Sequence, residues 1–163
     1  MTAERTKAEP MNSAEEALVR SIDRVVYVLP RALDAAMQRE QQISLTEYMT
    51  LSRLSEAPDR RMRMSDLAEA AFLSLSGMTH VVARLRTQGL VERVRDAEDR
   101  RGWHAVLTDE GLARLREAWP SNLSGVRRYL LDHLQGFDLS ALAQAFASIG
   151  GPAEGGRGTT SPR

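Results

Sequence analysis

The sequence predicts a mainly α-helical fold carrying one small β-hairpin, and three observations predict it. Long stretches place apolar residues at steps of three and four; one stretch holds two short runs of branched and aromatic residues around a charged turn; helix signals bracket that stretch on both sides. The hairpin runs are Leu90 to Val94 and Trp103 to Leu107, residue types that suit strands. Asp99, Arg100, Arg101 and Gly102 make its tip, with Gly102 supplying the permissive backbone of a tight turn.

The elements follow in order. Residues 1–12 are polar and mixed in charge and read as a frayed arm. From Ser13, apolar residues at Leu18, Ile22, Val25, Leu29, Leu33 and Ala36 draw one stripe down a helix of about seven turns. Pro30 removes a backbone bond to Val26, which predicts a kink rather than a break because the stripe resumes in phase. A second helix starts near Ser44 or Thr46, where Ser44-Leu45-Thr46-Glu47 has capping-box spacing, buries Tyr48, Leu51 and Leu54, and stops at Ala57-Pro58-Asp59. Arg61 to Met64 alternates like a short strand, and Ser65-Asp66 is expected to cap a helix carrying Leu67, Ala68 and Ala71. A further helix runs from Ser74 to Gln88 with Leu75, Met78, Val81, Val82 and Leu85 inward, ended by Gly89. Thr108, with Asp109 and Glu110 behind it, caps a helix reaching about His133, kinked at Pro120, with Leu112, Leu115, Trp119, Leu123, Val126 and Leu130 on one stripe. Leu139, Leu142, Phe146 and Ile149 mark a last short helix, and residues 150–163 are too poor in apolar side chains to fold. The resulting organisation is an arm at 1–12, a helix at 13–43, a central lobe at 44–108, terminal helices at 109–149 and a tail at 150–163.

Composition bounds the function. The chain has 163 residues, 42% of them apolar, enough for one packed core. No window approaches the roughly 18 apolar residues of a membrane helix, and the start lacks the apolar core of a signal peptide, so no membrane association and a cytoplasmic location are expected. The absence of cysteine excludes disulfides, thiolate metal sites and thiol redox sensing. His80, His104 and His133 share no metal-ligand spacing, no Gly-rich phosphate loop precedes a helix, and no nucleophile has an evident base, so neither an enzyme nor a cofactor is expected. A site assembled from His104, His133 and an acid is the one weak exception. The formal net charge is zero, yet between Arg60 and His104 nine arginines face six acids, and Lys7 is the only lysine. The planar guanidinium suits phosphates and guanine edges.

Strand, short helix, turn, longer helix, strand, turn, strand is the order of a winged helix-turn-helix, in which the longer helix reads duplex DNA. Its first two turns carry Ser74, Ser76, Gly77 and Thr79, small enough for close approach, while the amides at its start face anions. His80 is a candidate base or phosphate contact, and Arg84 comes late enough to reach the sugar-phosphate rim. The wing tip offers Arg100 and Arg101 to a minor groove, with Asp99 orienting Arg101. A protein-docking module that never meets DNA is the alternative reading of the same fold. The stripes at 18–36 and 139–149 leave surplus apolar surface that calls for a partner, and a second copy of the chain is expected.

The residues Leu45-Thr46-Glu47-Tyr48, Ser65-Asp66-Leu67-Ala68, Ser76 through Leu85, Gln88-Gly89-Leu90-Val91-Glu92-Arg93, and the Asp99-x-Arg101-Gly102 and Leu107-Thr108 frame resemble the MarR family of bacterial transcription regulators. The resemblance spans about Ser13 to Ile149. Trp103 stands where an aliphatic residue usually follows the wing arginine, and Ala105-Val106 replaces an aliphatic-polar pair. The resemblance implies a homodimer whose terminal helices interlock, making 13–43 and 109–149 dimerisation segments. It implies a transcription regulator, expected to act as a repressor, and a dimer with two reading helices is expected to bind an inverted-repeat operator. It also implies release by a small aromatic or lipophilic anionic effector held between the dimer helices and the DNA-binding lobe, for which Tyr27, Arg31, Tyr48, Met62 and Trp103 are the candidate lining.

Overall fold

Helix caps and a short antiparallel sheet organise the chain, which a computed structural model describes over residues 9–96 and 102–149. Helix α1 (Ser13–Gln41) opens on Asn12, whose side chain accepts from Ala14 and Glu15 amides while Glu15 returns a bond to the Asn12 amide. It runs unbroken through Pro30. Helix α2 (Leu45–Glu56) opens on the expected Ser44–Glu47 capping box, and a 3-10 turn at Pro58–Arg60 ends it. Strand β1 (Arg61–Arg63) is followed at once by α3 (Met64–Ala70), then α4 (Leu75–Thr87), β2 (Val91–Arg95), β3 (Trp103–Leu107), α5 (Asp109–Tyr129), a 3-10 turn at Leu131–Leu134 and α6 (Leu139–Ser148).

Three local expectations are corrected. Ser65-Asp66 does not cap α3: the helix starts at Met64, ahead of both residues, its N-cap Arg63 makes no side-chain cap bond, and Ser65 Oγ donates to Asp66 instead. The helix expected to reach His133 ends at Tyr129 and tightens into the 3-10 turn. Leu75, placed inward by periodicity, is 55% exposed as the first helical residue of α4, where it opens onto the cavity between that helix and the wing.

The mainly helical winged helix with its small hairpin is otherwise as the sequence predicts. The sheet order is β1-β3-β2, all antiparallel, with Arg63 opposite His104, Val91 opposite Leu107 and Arg95 opposite Trp103. Alternation puts Met62, Val91, Ala105 and Leu107 on the face toward the helices and Arg61, Arg63 and His104 on the other. The core joins Met37, Tyr48, Leu51 and Leu54 to Leu67, Met78, Val82 and Leu85, then to Ala105, Leu107, Leu115 and Ala118. Helices α1 and α5 are tied where Gln41 Nε2 donates to Ser121 Oγ at 2.8 Å and Arg114 donates to the Gln41 side chain and carbonyl.

The apolar stripes split along their length. The C-terminal end of the α1 stripe is covered, with Ala36 buried, whereas Leu18 and Val25 are exposed; so are Trp119 and Leu123 on α5 and Leu139, Phe146 and Ile149 at α6. An apolar cavity of about 280 Å³ lies between α1 and α5, lined by Val25, Val28, Leu29, Tyr129 and Leu130 among others.

Candidate nucleic-acid interface

Helix α4 is held at its two ends by different means. Ser74 Oγ accepts from the Gly77 amide at 3.1 Å and lies 3.1 Å from Ser76 Oγ, so Ser74 caps the helix just before its first residue. Thr79 Oγ1 donates back to the Leu75 carbonyl at 2.8 Å. These bonds fix the first turn and engage two of its hydroxyls internally. His80 is exposed on the same helix, while Gly77 and Thr79 are half-buried. Gly89, at φ +72°, ends the helix region and turns the chain into β2, where only glycine adopts that backbone without strain.

Toward its C-terminal end, α4 is pinned through Arg84. Its Nε donates to Glu47 Oε1 at 3.0 Å, and Glu47 Oε2 accepts from the Ser44 amide at 2.9 Å and hydroxyl at 2.8 Å. Glu47 is 9% exposed at its side chain and Arg84 58%. Burial acts to raise the Glu47 pKa, but the bonds from Ser44 and Arg84 outweigh it and hold the carboxyl below its ordinary value. The Leu45 amide next to this cap donates to Asp34 of α1 at 2.8 Å. Helix α4 is thereby connected through α2 to α1, a link the sequence concealed because Glu47 and Arg84 are 37 residues apart.

The wing is built from both faces of the sheet. On the face toward α4, Trp103 lies under two guanidiniums, Arg93 at 4.3 Å and Arg95 at 5.1 Å from the ring centroid. On the other face, Arg63 donates to Asp96 at 2.8 Å, His104 Nδ1 lies 3.7 Å from the same carboxylate, and Arg61 lies 3.1 Å from His104 Nδ1. The Asp96 amide donates to the Gly102 carbonyl at 3.0 Å, closing the hairpin where its tip begins. Sequence reasoning missed Arg63, Arg93, Arg95 and Asp96 as wing supports. Strand alternation was the available signal, but cross-strand register was needed to use it. The expected tip residues Asp99, Arg100 and Arg101 lie outside the described residues.

The five candidate effector residues fall in different places. Tyr27 is 67% exposed on α1, and Arg31 is exposed on the same helix. Tyr48 is in the core at 2% exposed; burial pushes its pKa up, and its hydroxyl makes no hydrogen bond of good geometry although Asn122 lies beside it. Met62 lines an open groove of about 620 Å³ with Arg53, Arg61 and His104. Trp103 lines a separate cavity of about 240 Å³ between wing and α4, with Leu75, Thr79 and Arg93. His104 and His133 line different cavities, and among the described residues no cluster of three His, Asp or Glu side chains is placed to hold a metal ion. No described helix is long and apolar enough to cross a membrane.

Comparison with known proteins agrees with this geometry. A model of the MarR family matches residues 41–102. The chain is 32% identical over 84 residues to the transcriptional repressor MprA of Escherichia coli strain K12, a match covering 52% of this chain and 48% of MprA. The chain thus spans about half the length of the curated relatives it matches. The crystal structure of AbsC, a MarR family transcriptional regulator from Streptomyces coelicolor, superposes with a TM-score of 0.76 at 34% identity, covering 85% of this chain and 93% of AbsC. Sco3205, a MarR family transcriptional regulator of the same organism solved in complex with DNA, superposes at 0.79 with 32% identity, covering 88% of this chain and 89% of Sco3205.

Proposed function

Because the chain belongs to the MarR family of transcriptional regulators, we propose that it is a sequence-specific DNA-binding repressor acting in the cytoplasm as a homodimer. The observation that carries this reading is the pairing of a capped, anchored α4 with a wing that holds Arg93 and Arg95 over Trp103 across a shared cavity. A helix N-terminus of small side chains beside guanidiniums matches a major groove flanked by phosphates. The reading assigns Ser74, Ser76, Gly77, Thr79 and His80 to the groove, Arg84 to a phosphate through the exposed part of its side chain, and Asp99, Arg100 and Arg101 to the adjacent minor groove. The exposed apolar residues of α1, α5 and α6 support a second copy as partner, since single chains seldom leave such surface uncovered.

Release by a small aromatic or lipophilic anion belongs to the same reading. Trp103, beside Arg93 in the cavity between wing and α4, supports that ligand chemistry better than Tyr48, which the core encloses. Selection from a random duplex pool tests the proposal: enrichment of one sequence family, with an affinity that falls steeply as salt rises, is the expected outcome. Recovery of no preferred duplex would leave the protein-docking reading in its place.

A further inference from the structure

The turn between α3 and α4 places a large aromatic side chain where helices most often end in glycine. Phe72 has φ +54°, the left-handed region, which costs a non-glycine residue about 1–2 kcal/mol. Its amide donates to the Glu69 carbonyl at 3.0 Å, and the Leu73 amide donates to the Ala68 carbonyl at 2.9 Å. That bond pair is the Schellman ending of α3, with Phe72 at the position glycine prefers. The turn carries Leu73 inward against the core and leaves Phe72 94% exposed. Three residues later Leu75, at 55% exposure, opens α4.

Two large apolar side chains therefore flank the Ser74 cap at the end of the helix proposed to enter the groove. The neighbouring polar groups are partly spent, since Ser74 Oγ holds the Gly77 amide and Thr79 Oγ1 holds the Leu75 carbonyl. Arg63 and Arg93 line the cavity onto which Leu75 opens, so the apolar edge is continuous with a basic one. That combination fits a polyanion presenting an apolar group, and the base edges of the major groove present one such group, the 5-methyl of thymine. Resting on the reading of α4 as the DNA-reading helix, we infer that Phe72 and Leu75 form an apolar contact that recognises thymine methyl groups in each half-site. The left-handed Phe72 is then a stability cost retained for recognition.

The test uses the full chain and a duplex selected by it, with each thymine replaced in turn by deoxyuridine, which deletes only the methyl. At least one replacement per half-site lowers wild-type affinity by about fourfold, the equivalent of one buried methyl group. Leu75→Ala and Phe72→Gly bind the thymine duplex more weakly and lose the thymine-to-uracil discrimination. Phe72→Gly also raises Tm while weakening binding, an opposition that a purely structural Phe72 would not produce. A wild-type protein indifferent to every replacement, or variants that discriminate as well as wild type, overturns the inference and gives this edge to a protein partner, leaving the DNA-binding reading intact. Failure to select any duplex overturns that reading and this inference with it.

Discussion

Glu47 is the residue on which helix placement turns, because one carboxylate completes the α2 cap and anchors Arg84. Its folded pKa is depressed, so the stability it adds is present above the unfolded carboxylate value and is lost as pH falls through the folded one. Glu47→Gln should therefore flatten the acid limb of the Tm profile; an acid limb as steep as that of the wild type would contradict the assignment. Arg84 separates the clamp from the phosphate contact. Arg84→Ala should weaken all duplexes nearly alike and lower the salt slope by roughly one unit per protomer. An unchanged slope with a lowered Tm would leave Arg84 as a clamp alone. The sequence showed Glu47 as a capping residue and Arg84 as an exposed cation, both visible locally. Their bond was not legible, since it depends on how α2 and α4 pack.

At the scale of elements, helix periods and caps made α1, α2, α4 and α5 legible, and residue type alone placed β3 at Trp103–Leu107. What escaped are places where one element meets another. Gly111 reads as an ordinary helical glycine, yet a Cβ there would overlap the Leu90 carbonyl oxygen and lie 2.7 Å from Leu107 Cδ1. It lets the start of α5 lie directly on the sheet. Gly111→Ala should destabilise the chain by about 1–3 kcal/mol, read by denaturant unfolding, where a neutral effect would show that α5 can shift away. The wing makes a separate prediction about its tip. Arg101→Ala should weaken specific binding by about 1–3 kcal/mol and flatten any preference for A/T pairs beside the half-sites. Asp99→Ala should reproduce part of that loss if the acid orients Arg101; tighter binding would mean that the carboxylate only repels phosphate.

For the whole molecule, the proposed dimer presents two α4 helices to one face of a duplex. The stripes were legible as apolar surplus, but a periodicity cannot name what covers it. The exposed Leu18, Val25, Phe146 and Ile149 argue for a dimer, and sedimentation at micromolar concentration should return twice the 18.1 kDa chain mass. Footprinting of a selected duplex tests this arrangement, because protein symmetry must then appear in the DNA. A symmetric dimer should protect an inverted repeat whose half-sites are centred about one helical turn, roughly 10 base pairs, apart. Protection of a single unrepeated site, by a chain that sediments as a monomer, would contradict it.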